Sequence, residues 1–220
     1  MSFATRERNA LADLLLEVGP DAPTLCEGWT TRDLAAHVWT REHDPISLVG
    51  MAIEPATAAL REKRHERALT RHGYEGLVER LRSRPGFPSP FAIPNVDGAV
   101  NAAEYFIHHE DVRRAVDANA GPRDLPTEAE AALWRIAPVV ARSFTHGSPV
   151  PVILERLGAS GLPVDRVRAA GTRNRAGVIV SGRASELLFA MFGRWKNAAI
   201  EIRGNEDDVA AFQSFLEQKG

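Results

Sequence analysis

The chain has 220 residues, 44% hydrophobic and 25% charged, with a formal charge of −2 and a pI near 6.4. This composition specifies a soluble globular protein with a sizeable core, as one large domain or two small ones, and gives no net drive toward nucleic acid or an anionic membrane. A single cysteine, Cys26, excludes an intramolecular disulfide and any zinc site built on several thiolates, and fits a reducing cytoplasm.

Charges interrupt the N-terminal segment where a signal peptide needs an unbroken apolar stretch, and no run approaches about 18 apolar residues, so neither secretion nor membrane spanning is expected. Leu11, Leu14, Leu15 and Val18 recur at helical spacing and Gly19-Pro20 stops the pattern, predicting a helix over 4–18. Thr30-Thr-Arg-Asp33 reads as a capping box with Asp33 in the usual Glu or Gln position, and Trp29 and Leu34 can form a hydrophobic staple across it. Leu34, His37, Val38 and Arg41 share the inward face of that second helix; Pro45 is expected to kink or end it before 48–52 extends it. Residues 54–84 are rich in Arg, Lys and Glu, with Leu60, Leu69, Leu77, Val78 and Leu81 as anchors and a break near His72-Gly73. The charge run reads as a solvated face.

The proline-rich stretch 85–94 is a stiff connector into a helix that Asp97 can cap and that runs to about Val116. A further helix spans about 127–143, with Leu133, Ile136, Val140 and Phe144 inward and a bend at Pro138. The pattern changes after His146-Gly-Ser-Pro149. Strands are expected over 150–157, 164–169, 176–181 and 198–203, with helices over 185–192 and 206–217. The shift predicts an α+β chain with a helical bundle over 1–147 and a small α+β domain over 148–220.

Glu104 and His108 stand on the stripe of the 97–116 helix that should be apolar, and side chains four apart lie on one face about a turn apart. Val100, Glu104, Ile107, His108, Asp111 and Ala115 share this face while His109 points away, which selects His108 over its neighbour. A lone inward Glu–His pair also reads as a buried ion pair. With His37 on a facing helix, three donors favour a metal site in the bundle core. Two imidazoles and one carboxylate leave coordination positions open, as in catalytic zinc sites; iron(II) suits the same donors. Asp111, a turn beyond His108, can accept that histidine's other ring N–H, or pair with Arg114 or Arg41.

The motif Leu25-Cys-Glu-Gly-Trp-Thr-Thr-Arg-Asp-Leu-Ala-Ala-His37, with Glu104-x-x-x-His108 and the run His108-His-Glu-Asp-Val-Arg113, resembles the mycothiol-dependent maleylpyruvate isomerase family, and more narrowly an actinobacterial branch described as metal-binding. The wider relatives are DinB-like four-helix bundles. Residues 178–194 are similar to that family's second domain, which is likened to sterol-carrier proteins, so the resemblance covers nearly the whole chain. It implies metal ligands at His37, Glu104 and His108, and a zinc ion that receives the thiolate of mycothiol. The implied activity is isomerisation or thiol transfer on a small, carboxylate-bearing substrate. Apart from the resemblance, a monomer or homodimer is expected. The resemblance also implies an arginine from the second domain. Arg194 is preferred over Arg183, since a guanidinium can clamp a carboxylate in a bidentate pair; a surface arginine beside Trp195 is the plainer reading. The alternative function is a non-catalytic metal- or ligand-binding module.

Cys26 reads as a small buried hydrophobe under Trp29 rather than a reactive thiol. His43 and Asp44 reach at most the outer shell of a metal, and His65, His72 and His146 read as surface residues. The chain contains no Gly-x-Ser-x-Gly elbow, Walker loop or His-Glu-x-x-His motif, which argues against a serine hydrolase, a nucleotide enzyme and a gluzincin.

Overall fold

Helix α1, Phe3–Val18, forms where the leucine spacing places it and buries Leu11, Ala12 and Leu15. The Ser2 hydroxyl caps it by accepting the Thr5 N–H at 3.2 Å. Gly19 ends it at φ 78°, a left-handed turn that favours glycine, and donates its N–H to the Leu15 carbonyl. The computed structural model describes residues 1–43, 58–83, 94–172 and 175–219, with side chains at all of these but 58, 61 and 94–100. The expected kink at Pro45, the 48–52 extension and most of the proline-rich connector lie outside the described residues.

Helix α2, Thr31–His43, starts at the expected box. The Asp33 carboxylate accepts both the Thr30 N–H at 2.9 Å and the Thr30 hydroxyl at 2.8 Å. Helices α3, Ala58–His72, and α4, Tyr74–Leu81, are separated at Gly73, whose φ of 67° breaks the charged segment where expected. Leu77, Val78 and Leu81 are buried, but Leu60 is 47% exposed and is no anchor; Ala68 and Leu69 are what α3 contributes to its local cluster. Helix α5, Pro94–Val116, begins at Pro94. Asp97 therefore lies inside the helix rather than before it, proline being well suited to a first helical position.

These five helices belong to one compact unit, Met1–Ala120, with α1 packed on α5 and α2 on α3 and α4. Helix α5 is its centre. Asn101, His108, His109, Glu110, Asp111 and Arg114 are buried along with Tyr105, Phe106, Ile107 and Val112. A helix enclosed on all sides places polar groups inside, and each must find a partner. Arg8 donates to the Tyr105 hydroxyl at 2.8 Å and pairs with Glu42 at 2.9 Å, while the Tyr105 hydroxyl also donates to Glu42. Glu110 pairs with Arg113 at 2.7 Å and Arg114 at 2.6 Å.

The second unit is Gly121–Gly220. It contains helix α6, Thr127–Phe144, and a sheet of strands β1, Val152–Leu157, β2, Pro163–Ala170, β3, Val178–Gly182, and β4, Glu201–Arg203. The composition shift near 147 marks where strands begin, whereas packing divides the chain at 120/121. Helix α6 goes with the second unit because it packs on β2 and on helix α7, Ala184–Phe189. Ala129, Leu133, Ala137 and Ala141 form its fully buried line, and it continues through Pro138.

The sheet order is β2-β1-β3-β4, with β1 antiparallel to β2 and parallel to β3, and β4 antiparallel to β3. Val152, Leu154, Val178 and Val180 turn one face into a core with Leu187, Phe212 and Leu216, the last two from helix α8, Glu206–Glu217. The helix expected over 185–192 is shorter than its sequence pattern. It passes at Ala190–Arg194 into a π-type segment with Gly193 at φ 90°, and then into a single turn, Trp195–Asn197. The chain is thus α+β. Among the described residues no helix is long and apolar enough to cross a membrane.

A Cβ at Gly177 would overlap the Pro151 backbone carbonyl just before β1. Because the obstacle is backbone, Gly177→Ala should destabilise the second unit by about 2 kcal/mol or more. Gly121→Ala, where a Cβ meets nothing within 4 Å, should be close to neutral; urea unfolding of the two variants checks the contrast.

Candidate metal centre

His37 stands on α2 and Glu104 and His108 on successive turns of α5, and their ligand atoms all lie within 4.8 Å of one another. Donors bonded to one tetrahedral zinc at about 2.0–2.2 Å stand about 3.3–3.6 Å apart. Side-chain movements of up to about an ångström would bring all three onto one ion. His108 Nε2 is 3.5 Å from Glu104 Oε2, and the His37 and His108 rings stand nearly perpendicular with centroids 5.3 Å apart. His109 turns to the other side of α5, where its Nδ1 donates to Glu7 at 3.1 Å.

The surrounding contacts orient the three donors. The Asp111 carboxylate accepts the Nδ1–H of His108 at 3.1 Å, which leaves Nε2 directed at Glu104 and His37. A carboxylate behind a histidine in this way fixes its tautomer and raises its basicity. Arg41 Nε lies 3.6 Å from Glu104 Oε2 while its Nη1 donates to Asn101 at 2.6 Å, so this guanidinium holds the carboxylate from behind.

Electrostatics separates the three groups. Burial pushes the Glu104 carboxyl up, but the His108 hydrogen bond and the charges of Arg41, His108 and His37 outweigh it and bring it down to about 2. Burial lowers His108, yet bonds to Asp111, Cys26 and Glu104 raise it well above the usual imidazole range. His37 is held well below that range by burial and by the neighbouring His108. Near neutral pH the ion-free cluster therefore carries ionised Glu104, protonated His108 and neutral His37.

Cys26 packs with Trp29 against the core of the helical unit, in keeping with the sequence reading, but it is only partly buried. Its thiol donates to Asp111 Oδ2 at 3.2 Å, so Cys26, His108 and Asp111 form a second group capable of holding a metal. Nothing local foretold this, since the partners are 85 residues apart in the chain. His65 is misjudged as a surface group: its ring lies 5.7 Å from His37 and 5.9 Å from Trp29. The signal was present, because His65, Ala68, Leu69 and His72 keep the i, i+3, i+4, i+7 spacing of an inward stripe. His72 likewise packs on Trp39, with centroids 5.1 Å apart. His146 is exposed, as expected. His43 stacks on Trp39 and donates to its carbonyl at 3.0 Å, and belongs to no metal-capable group among the described residues. Asp44 lies outside them.

Arg194 and Arg183 belong to the second unit. Arg194 sits at the end of the π-type segment and donates to the Phe192 carbonyl. Arg183 pairs with Asp124 at 2.9 Å and with Glu130 at 3.4 Å, tying the start of its unit to α7.

A cleft of about 650 Å³ opens between the start of α2 and α3. Trp29 and His65 line it, and the Trp29 ring also lies 5.0 Å from that of His37. Among the described residues lining it, Glu27, Asp33, Glu62 and Glu66 face one guanidinium, Arg32. The Glu104 side chain keeps 14% of its exposure, so the cluster is not sealed.

No protein-family model, curated protein or solved structure matches the chain. The class that fold and site define is an α+β protein with a partly buried His–Glu–His cluster in its helical unit. Asp111→Asn, which weakens the acceptor behind His108, should lower zinc affinity by roughly 10–100-fold. Cys26→Ser should leave it nearly unchanged if the cysteine is not a ligand. Competition titration against a chelating dye reads both.

Proposed function

We propose that the protein is a thiol-dependent metalloenzyme of the maleylpyruvate isomerase-like type, with His37, Glu104 and His108 holding one divalent ion, zinc in first place and iron(II) in second. The observation that carries this reading is the convergence of two imidazoles and one carboxylate within 4.8 Å, from two helices, at a cluster left partly open. Such an ion, when bound, supplies a positive charge that keeps a coordinating thiol deprotonated near neutral pH. The cofactor proposed is a low-molecular-weight thiol such as mycothiol, serving an isomerase or thiol-transfer reaction on a small molecule in the cytoplasm.

The chain's own residues divide the work. Asp111 orients His108, Arg41 restrains Glu104, and Trp29 and His65 form a wall from the ring of His37 to the cleft. The acidic lining of that cleft suits a neutral, hydroxyl-rich thiol better than an anion. A carboxylate on the substrate needs a partner outside this lining. In this reading the helical unit is a DinB-like bundle in which α3 and α4 form one broken fourth member, and the second unit is sterol-carrier-like.

One observation favours a non-catalytic reading. His108 sits between Glu104 and Asp111 with both ring nitrogens matched to carboxylates, an arrangement that also makes a stable ion pair without metal. Cobalt substitution separates the two. A visible spectrum that changes on adding a small thiol supports an open, reactive ion. A spectrum insensitive to thiols removes the enzyme reading and leaves an ion-binding module, and failure to take up cobalt leaves the ion pair alone.

A further inference from the structure

A second cleft, of about 280 Å³, lies on another side of the α2–α3 pair and is lined by Trp39, Thr40, His43, Arg64, Arg67 and Arg71, with Ala68 at its floor. Arg64, Arg67 and Arg71 keep the i, i+3, i+7 spacing of one helical stripe. Glu62 and Glu66 of the same helix line the cleft beside the metal centre instead. The run of mixed charge along α3 is thus sorted into an acidic stripe and a basic one, and no carboxylate is among the described residues lining the basic cleft.

Two buried donors stand among these arginines. Thr40 is only 3% exposed, and its Oγ1 has no hydrogen-bond partner, not even the carbonyl one turn back that a helical threonine ordinarily uses. Trp39 Nε1 is likewise buried without a hydrogen-bond partner. Its indole is held in place by stacking on His43, with centroids 4.7 Å apart and planes 6° from parallel, and by the tilted His72 ring. Buried donors are seldom left unmet, and a cleft whose lining combines an indole N–H, a hydroxyl and three guanidinium groups is chemically a donor site suited to an oxyanion.

We propose that this cleft binds the phosphoryl or carboxylate group of a small anionic molecule. The arginines supply charge-assisted bonds at the mouth, and Thr40 and Trp39 supply the inner donors. The cleft is lined by none of the metal-ligating residues, and the inference does not rest on the metal reading.

The test uses the full chain at constant ionic strength, titrated separately with inorganic phosphate, pyrophosphate, succinate and chloride. The indole N–H resonance of Trp39, assigned by its loss in Trp39→Phe, is followed by NMR. The expected result is a saturable shift with pyrophosphate, phosphate or succinate and none with chloride. Saturation by the phosphates alone identifies a phosphoryl ligand, and by succinate alone a carboxylate. Arg67→Glu with Arg71→Glu, both at exposed positions, should weaken the affinity about tenfold or more, and Thr40→Val should weaken it without charge reversal. A shift that does not saturate, that chloride reproduces, or that survives the double arginine variant unchanged overturns the proposal.

Discussion

Zinc binding is expected to fall on the order of a thousandfold in His108→Gln and to persist in His109→Gln. Loss of an outer partner typically costs 10–100-fold in metal affinity, and loss of a ligand should cost more. The two histidines are adjacent on one helix and both are buried, so residue type and burial do not distinguish them. Direction does. His108 Nε2 faces Glu104 and lies within reach of His37, whereas His109 is committed to Glu7. Glutamine at either position keeps a polar side chain of similar length, so the comparison isolates the imidazole. Equal zinc content in the two variants after dialysis against a weak chelator would remove the cluster from consideration as a metal site.

Metal affinity should climb roughly tenfold for each pH unit across the neutral range, with about one proton released per ion bound. The proton comes from His108, which must give up the one on Nε2 to become a ligand. Burial lowers this imidazole, but its bonds to Asp111, Cys26 and Glu104 hold it well above the usual range. Glu104, at about 2, is already ionised, and His37, kept low by burial and His108, is already neutral, so neither adds to the release.

The ion-free protein should show the opposite trend above neutrality. The raised His108 stabilises the fold fully below its unfolded value of 6.5 and loses that contribution as pH rises through the folded value. The lowered His37 costs stability as pH falls below 6.5. Glu104 stabilises above its unfolded value of 4.5 and loses that as pH falls toward 2. These three groups therefore put the ion-free maximum near pH 6.5, while zinc moves it upward. Thermal unfolding with and without chelator across pH 5–9 reads the shift, and identical pH profiles in the two states would contradict the linkage.

The elements with a strong local signal were legible in sequence. The leucine repeat, the Thr30–Asp33 box and Gly73 each mark a boundary through nearest-neighbour chemistry, and the structure places boundaries there. The trio of His37, Glu104 and His108 was legible for a different reason, since charged groups on a stripe that should be apolar demand a partner. What escaped depends on contacts distant in sequence. Cys26 looked inert because Asp111 and His108 lie far along the chain, and the assignment of α6 to the sheet-bearing unit depends on which surface it covers. Leu60 was misread because a leucine in a charged helix looks like an anchor, yet Ala68 and Leu69 fill that role. His65 fell between the two cases, its inward spacing hidden by the charges around it.

X-ray absorption at the zinc edge, on the zinc-loaded protein without added thiol, addresses the central claim most directly. The expected first shell holds only nitrogen and oxygen at about 2.0–2.2 Å, two of them imidazole, with a sulfur at about 2.3 Å appearing once a small thiol is added. A sulfur present before thiol is added would place the ion on Cys26, His108 and Asp111 instead, and would contradict a centre built on His37, Glu104 and His108.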